Sequence, residues 1–429
     1  MNIILVLLSL ICAYKIYMSI GEARYNWFIG SMLFLYSYVV ILEHPHFGAH
    51  RLFVVAFLLS LIRNNEICWE SLKNNPLFKY LVFYLIILIL INLNSPYLTP
   101  FYKIYKPVMR FVDTYMVIML GYYGVNNVNI ANRKLALFLI IVTIYGFFTY
   151  ISSSDPYRLI MGDEKDYYAD YFFGDRRRVA ATWSHPIAYG LICAIFFYLY
   201  QFYSDIGNKK LLLFLLVASV FICGSRSALL VWLIIGSIMM FFVISRKQAI
   251  QFFLLFSVIA VSLPPVQEKI SDVVASIQGA DNTAGSSMDM RDQQLFASLG
   301  VAAQFPITGG GLDYIQEQMD FGSDDWVDTD GFYGFESYFY VLVIERGFVG
   351  VLLELFIVLA ISITFWRMRN NKASCYLGLG ILWGFVIFAL ITGPLDTWII
   401  SMFYIGVMLN YSNSVEGEEQ DVLDQVPTQ

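Results

Sequence analysis

One arginine lies inside an otherwise apolar part of the chain. Arg226 stands in the run Gly224-Ser225-Arg226-Ser227-Ala228-Leu229-Leu230, between two hydrophobic stretches. A charge at membrane depth is costly, which makes such a residue a candidate for function. Its guanidinium is suited to bidentate contacts with a phosphate or diphosphate. The alternative, of equal weight, is an arginine that only snorkels to the lipid headgroups.

Three consecutive arginines form a second basic group. Arg176, Arg177 and Arg178 shortly precede Thr182-Trp183-Ser184-His185-Pro186, where another apolar stretch begins. Binding of an anion is one interpretation of this group. The other is neutralisation by the nearby acidic residues Asp163, Glu164, Asp166, Asp170 and Asp175.

Further basic residues are candidates for the same chemistry. Arg291 is nearly alone among acidic residues in its part of the chain, and Lys103, Lys106 and Arg110 precede another apolar stretch. Arg110 and Asp113 are three residues apart, so on a helix they could instead pair with each other.

Two titratable residues at predicted helix starts are candidates for a catalytic base. His185 is followed by Pro186, a residue that helix starts favour, so capping is its simpler role. Glu336 precedes Ser337-Tyr338-Phe339, where a carboxylate favours the helix dipole. That position also puts the carboxylate at the mouth of an outer cavity.

Three other features have structural interpretations simpler than a functional one. Glu345, Arg346 and Glu354 lie within an apolar helix and predict an internal ion-pair network. Asp328-Thr329-Asp330-Gly331 has the carboxylate spacing of a metal site but lacks the rest of a calcium loop. Gly309-Gly310-Gly311 could present N–H groups to a phosphate, but neither a strand nor a lysine accompanies it, so we predict a turn.

The elements that position these residues must be membrane helices. Of the 429 residues 58% are hydrophobic and only 14% charged, so no soluble fold could hide this much apolar surface in one core. The recurring apolar runs match roughly 30 Å of hydrocarbon at about 1.5 Å per residue, which selects helices. The sequence predicts an all-α polytopic membrane protein with about 12–13 transmembrane helices.

The apolar runs also predict how the chain is divided. The predicted spans are 3–20, 26–43, 51–62, 79–93, 108–125, 134–151, 185–203, 211–224, 227–244, 249–263, 337–365, 376–392 and 395–411. They give N-terminal helices (1–151), an outer loop with the basic cluster (152–184), helices with the arginine hairpin (185–263), a large outer loop (264–336), C-terminal helices (337–411) and an acidic tail (412–429). The first span lacks a basic start and a cleavage site, which predicts a retained helix rather than a signal peptide.

Basic residues in short connections predict the orientation. They fall on alternate connections, which the positive-inside rule places in the cytoplasm. Segments 152–184 and 264–336 and the N-terminus are then outside, and the tail is inside. From that inner face residues 211–225 rise only about 22 Å, less than the hydrocarbon thickness of roughly 30 Å, so Arg226 is predicted at the outer boundary.

Composition argues against several classes of partner and site. The net charge of −6 comes mostly from the outer loops and the tail, so nucleic acid is not a plausible partner. None of the five cysteines lies in an outer loop, which argues against disulfides and a zinc site. Without an internal repeat, and with the unusual residues at the outer face, a transporter is disfavoured. A structural or sensory membrane protein would not need arginines at the lipid boundary.

The order of these features resembles the bacterial O-antigen polymerase and O-antigen ligase superfamily, of Wzy and WaaL type, over roughly residues 176–366. The matching parts are Thr182–Pro186 at a helix entry, Gly224–Leu230 at the outer hairpin, Arg291 and Pro306–Gly311 in the long loop, Glu336-Ser337-Tyr338 after it, and Glu345–Gly350. The resemblance implies a GT-C-like membrane fold that transfers lipid-linked glycans.

The resemblance also implies roles for single residues. In this family, arginines at the hairpin and in the long loop engage the diphosphate of an undecaprenyl-linked sugar without a metal, and Arg226 and Arg291 match those positions. Ligases place a histidine after the loop, where this chain has Glu336, and that departure favours a polymerase. Glu336, or else His185, would be the base of an inverting transfer. The further diphosphate ligands would be Arg176, Arg177 and Arg178.

The remaining expectations concern cofactors, partners and location. We expect no cofactor and no metal. The expected partners are an undecaprenyl-diphosphate-linked glycan, membrane lipid and a chain-length regulator protein. The expected location is the bacterial inner membrane, with the site facing the periplasm. Ligase-type transfer and a flippase for lipid-linked oligosaccharide are the alternatives.

Overall fold

The structure, a computed structural model, describes most of the chain as helix. The described residues are 3–35, 40–42, 47–125, 132–152, 154–157, 178–183, 185–204, 206–243, 283–312, 314–315, 337–392 and 398–413. Helices dominate these ranges, and four of them are long and apolar enough to cross a bilayer, which confirms the predicted all-α polytopic membrane class.

The helices are numbered here in chain order. They are α1 (Ile3–Met18), α2 (Gly21–Phe34), α3 (Ala49–Arg63), α4 (Trp69–Asn74), α5 (Phe78–Leu93), α6 (Pro100–Phe111), α7 (Val117–Gly124), α8 (Arg133–Ser152), α9 (Pro186–Tyr203), α10 (Lys209–Ile222), α11 (Arg226–Phe242), α12 (Thr283–Gln304), α13 (Tyr338–Arg367), α14 (Lys372–Thr392) and α15 (Trp398–Asn413). A π-helix, Val112–Met116, joins α6 to α7.

Four described helices are long and apolar enough to cross a bilayer, namely α8, α9, α13 and α14. Three others, α1, α5 and α11, are apolar but shorter. The larger predicted number of spans stays a prediction, and the predicted span 249–263 lies outside the described residues. On α13 the exposed residues Leu352, Leu355, Leu359 and Ile363 recur every three or four positions, as expected of a lipid-facing stripe.

The structure differs from the predicted spans in two places. The sequence predicts one helix over 26–43, but α2 ends at Phe34, and Val40–Leu42 pairs antiparallel with Phe47–Gly48. The β-branched residues Val40 and Ile41 favour this extended backbone. The predicted large outer loop contains the helix α12, which packs against α13 and buries Gln294 and Ser298.

The π-helix decides where an acidic side chain points. Asp113 accepts two hydrogen bonds from Arg51 of α3, from Nε at 3.0 Å and Nη2 at 2.7 Å, and lies 3.6 Å from Nε2 of His50. Because a π-helix widens the turn, Asp113 is directed to α3 rather than to Arg110. The predicted alternative, an ion pair between Arg110 and Asp113, is therefore wrong.

Helix α13, predicted as one continuous span, is broken at Gly347. This glycine has φ 59° and ψ −161°, a conformation that favours glycine. The break leaves carbonyl groups without partners on its first side and N–H groups without partners on its second. Residues 348–367 alone are then long enough to cross the hydrocarbon, at about 1.5 Å per residue.

The turn Pro306–Gly311 supplies the missing partners at this break. Phe348 N–H donates to the Pro306 carbonyl at 3.0 Å, and Val349 N–H donates to the Ile307 carbonyl at 3.1 Å. In the other direction, the N–H groups of Gly310 and Gly311 donate to the carbonyls of Ile344 and Glu345 at 2.8 and 2.9 Å. The segments Pro306–Gly311 and Glu345–Gly350, both of which carry the family resemblance, are thus hydrogen-bonded to each other.

A buried ion pair between Arg346 and Glu354 joins the two parts of α13 across this break. Glu354 Oε1 accepts hydrogen bonds from Arg346 at 2.5 Å, from the Tyr84 hydroxyl at 2.6 Å and from the Tyr338 hydroxyl at 3.0 Å. Its Oε2 accepts one from the Tyr115 hydroxyl. The predicted internal network around Arg346 and Glu354 is confirmed, and it links α5, the π-helix and both parts of α13.

The break predicts a specific effect of a methyl group at Gly347. In Gly347→Ala the new Cβ would lie 2.6 Å from the Ile307 carbonyl oxygen, in addition to the strain of a positive φ. Gly21→Ala is the matched control, because Gly21 has φ +54° and open space around its Cβ position. We expect both to lose roughly 1–2 kcal/mol of stability by backbone strain, and Gly347→Ala to lose more. Equal melting temperatures of the two purified variants would contradict this account.

The buried pair predicts a second effect on stability. Glu354→Gln removes the charge opposite Arg346, and an uncompensated buried charge costs about 3–5 kcal/mol. We expect a clear fall in the thermal midpoint in detergent, and partial recovery in Arg346→Met combined with Glu354→Leu. The matched control is Glu70→Gln at an exposed position of α4, which should melt like the parent protein. A wild-type midpoint for Glu354→Gln would refute the pairing.

Candidate functional site

The hairpin between α10 and α11 presents an arginine at a helix start. Helix α10 ends at Ile222, and Gly224 turns the chain with φ +68°. Ser225 caps α11, since its Oγ accepts a hydrogen bond from the Ala228 N–H at 3.3 Å. The hairpin is therefore short and fixed, and it separates the two helices at the predicted position.

Arg226 is the first residue of α11 and is exposed. Within the described ranges, no carboxylate lies within ion-pair distance of its side chain. A helix start carries free N–H groups and the positive end of the helix dipole. An arginine at this point increases the attraction for an anion, so the geometry can hold a phosphate group.

Arg178 lies against the same hairpin. A Cβ atom at Gly224 would meet Cγ of Arg178 at 2.8 Å, so only glycine leaves room for this side chain. The residues after Arg178, from Val179 to Trp183, are buried and anchor it. The structure thus brings the third residue of the arginine cluster to the predicted hairpin, while Arg176 and Arg177 lie outside the described residues.

His185 occupies the start of α9. Its Nδ1 accepts a hydrogen bond from the Ile187 N–H at 3.2 Å, which confirms the capping role that the sequence predicts. The first turns of α9 pack on the hairpin, because a Cβ at Gly190 would collide with Cys223 and Ala228. His185 is therefore held on the helix that supports the hairpin, and its role as a base stays a prediction.

Several predicted site residues cannot be placed beside the hairpin. Arg291 lies on α12, but its side chain is outside the described part of the chain. Glu336 and the acidic run Asp328–Gly331 also lie outside the described residues. Among the residues that are described, no group of three metal-ligating side chains occurs.

Arg110 lies at a different point of the bundle and contacts aromatic rings. Its Cζ is 5.6 Å from the ring centre of Tyr338 and 5.5 Å from that of Trp398, which are the first residues of α13 and α15. Sequence reasoning assigned Arg110 to anion binding or to Asp113 and missed this pair of rings. A guanidinium over an aromatic face is attracted by the ring quadrupole.

The run Gly309-Gly310-Gly311 is a turn, as predicted. The alternative, that its N–H groups bind a phosphate, is wrong. Gly309 N–H donates to the Phe305 carbonyl at 3.0 Å, and the N–H groups of Gly310 and Gly311 bind α13. All three backbone donors are therefore occupied and cannot hold a phosphate. Nearby, Ser95 Oγ donates to the Gly310 carbonyl at 2.7 Å, so the turn is also fixed to the end of α5.

Two groups of polar residues could not be recognised in the sequence. The tyrosines Tyr84 and Tyr115 surround Glu354, and Arg51 and His50 surround Asp113. The acidic partner was visible in each case as a charge in an apolar segment. Its donors are distant in sequence, and only the packing of helices brings them together.

Comparison with known proteins supports the resemblance over the central part of the chain. A family model described as O-antigen ligase, Wzy_C, matches residues 211–355. The match begins in α10, includes the hairpin with Arg226, and ends in α13 beyond Glu354. No curated protein matches the chain.

The matched residues contain the elements that build the hairpin and the broken helix. They include Gly224, Ser225 and Arg226, together with the turn Pro306–Gly311 and the break at Gly347 that it fills. Residues 211–355 of this polytopic membrane protein thus match the Wzy_C model, and the match is consistent with the Wzy and WaaL superfamily.

Proposed function

We propose that the protein polymerises oligosaccharide repeat units carried on undecaprenyl diphosphate. The observation that carries the proposal is the hairpin in the residues that match Wzy_C, where the Arg178 side chain lies against Gly224 and Arg226 begins the next helix. Two guanidinium groups at such a point suit a diphosphate, which bears several negative charges.

The proposed reaction is an inverting glycosyl transfer. A hydroxyl oxygen of the acceptor glycan forms the new bond to the anomeric carbon of the donor. The bond from that carbon to the diphosphate breaks, and its electron pair leaves with undecaprenyl diphosphate. Arg226, Arg178 and Arg291, with Arg176 and Arg177, stabilise the negative charge that develops on the leaving group.

A base must take the proton of the attacking hydroxyl. Glu336 follows the long loop at the position where ligases carry a histidine, and we assign the role to it, with His185 as the alternative. Burial beside apolar side chains raises the pKa of a carboxyl, which would bring a glutamate into the range of a useful base. Neither assignment requires a metal or a cofactor.

We place the protein in the bacterial inner membrane with this site toward the periplasm. The proposal rests on the distribution of basic residues over alternate connections. The partners would be the lipid-linked glycan, the surrounding lipid and a chain-length regulator protein. Transfer to a finished acceptor, as in an O-antigen ligase, is the second candidate, favoured by the description of the matched family.

The hairpin predicts the outcome of charge removal. In cells that lack the native gene, Arg226→Gln and Arg291→Gln should insert normally and lower transfer by about 10²–10³-fold, because one stabilising contact to the leaving group is lost. The readout is the ladder of polysaccharide lengths on a gel. Arg369→Gln, an exposed cation near Trp366 at the other end of α13, is the matched control and should leave the ladder unchanged.

Two products separate the two candidate functions. Loss of a polymerase leaves single repeat units on undecaprenyl diphosphate, whereas loss of a ligase leaves long chains on that lipid and none on the final acceptor. Unchanged ladders in Arg226→Gln and Arg291→Gln, with normal protein levels, would reject both.

The contact between Arg178 and Gly224 predicts a further result. In Gly224→Ala the added methyl group displaces the Arg178 side chain, and we expect transfer to fall by about tenfold or more, the value of a charge-assisted hydrogen bond. Gly21→Ala carries the same backbone strain in open space and should keep full transfer. Equal activities of these two variants in membranes would show that Arg178 does not act at the hairpin.

A further inference from the structure

Helix α6 carries a basic stripe on one side. Lys103, Lys106 and Arg110 are spaced by three and four residues and therefore lie on one face of the helix. Phe101 and Ile104, which are exposed, lie on other faces. Such a helix rests at a membrane surface with its apolar side in lipid and its cations toward the headgroup region.

The positive charge of this stripe is not cancelled within its own helix. Residues 100–111 contain no acidic side chain. The next carboxylate, Asp113, is held by Arg51 and His50 on α3. Lys103 uses one of its three N–H donors on the Leu93 carbonyl at 2.9 Å, which fixes the stripe to the end of α5.

Arg110 ends the stripe in a partly enclosed position. Its guanidinium lies over the rings of Tyr338 and Trp398, whose centres are 5.1 Å apart. The charge of Arg346 on α13 repels this guanidinium and the charge of Glu345 attracts it. Among the described residues no carboxylate lies within ion-pair distance of it. The guanidinium donates a hydrogen bond to the Tyr338 hydroxyl, and its other in-plane N–H groups are the ones that could contact an anion.

The helix that begins with the hairpin arginine and the tryptophan beside Arg110 contact different residues of α14. Gly380 and Gly384 of α14 pack against Ile235 and Val231 of α11, the helix that begins with the hairpin arginine. At the next position of α14, Phe385 contacts Trp398 edge to face, with 4.6 Å between the ring centres.

We propose that the stripe Lys103, Lys106 and Arg110 binds the diphosphate of the acceptor, while the hairpin binds that of the donor. This inference rests on the proposed polymerase function. Polymerisation joins two lipid-linked glycans, and both carry a diphosphate. The donor diphosphate is the leaving group at the reacting carbon. The acceptor diphosphate lies a whole repeat unit away from the attacking hydroxyl, so a second and separate anion site is required.

The experiment measures how many prenyl diphosphates the full-length protein binds. Farnesyl diphosphate is titrated by calorimetry into the purified protein in a nonionic detergent. We expect two sites per chain in the parent protein and one in Arg110→Gln. Arg226→Gln should lose the other site, and the double variant should bind none. Arg369→Gln, whose cation also lies over a tryptophan ring, should keep both.

A second measurement separates a specific diphosphate site from a general headgroup site. The titration is repeated with an excess of phosphatidylglycerol in the micelle. Retention of two sites supports the proposal. If the lipid removes the site that depends on Arg110, the stripe binds bilayer headgroups instead, and the proposal is overturned.

Transfer kinetics distinguish a failure of this inference from a failure of the proposed function. With long-chain donor and short-prenyl single-repeat acceptor, Arg110→Gln should raise KM for the acceptor about 10–100-fold and leave KM for the donor unchanged, the fold-change of a lost charge-assisted contact. Arg110→Lys should recover part of the loss. An unchanged acceptor KM overturns the acceptor site alone, whereas absence of any transfer in the parent protein overturns the polymerase.

Discussion

The hydrogen bonds to the carboxylate of Glu354 are the interaction on which the packing around the start of α13 depends. This carboxylate accepts hydrogen bonds from Arg346, Tyr84, Tyr338 and Tyr115, which belong to α5, the π-helix and both parts of α13. A buried carboxylate without donors would be far too costly to keep ionised, so these elements must approach it together. Its position in turn fixes the start of α13, where Tyr338 faces Arg110.

Glycines decide where the backbone can leave the helical path near this carboxylate. Gly347 breaks α13 with a positive φ, and the turn Pro306–Gly311 fills the break with four backbone hydrogen bonds. Gly350 accepts the side chain of Arg346 where a Cβ would collide with it. The motif Glu345–Gly350 thus has a structural role: Gly347 breaks the helix, and Gly350 leaves room for the buried side chain of Arg346.

Two arginines are candidates for binding an anion because they are predicted at the boundary of the membrane. Arg226 begins α11, and Arg110, in the last turn of α6, lies over the first residues of α13 and α15; both are predicted at the outer face, where hydrocarbon ends and phosphate groups of lipids begin. Each is positioned by neutral groups, a capped helix start in one case and two aromatic rings in the other. Neither forms an ion pair with a carboxylate in the described part of the chain, which leaves their charge for an anion from outside the protein, as transfer between two lipid-linked glycans would require.

The sequence by itself determined the membrane class, most helix positions, the hairpin at Arg226 and the pairing of Arg346 with Glu354, because hydrophobic runs and isolated charges are local properties. It could not determine that Asp113 binds Arg51 rather than Arg110, since a widened π turn changes direction without a marker in composition. Nor could it show that Arg178 rests on Gly224 or that the glycine turn fills a break in α13. Those contacts join residues far apart in the chain, and only the packing of helices against one another decides which distant side chains meet.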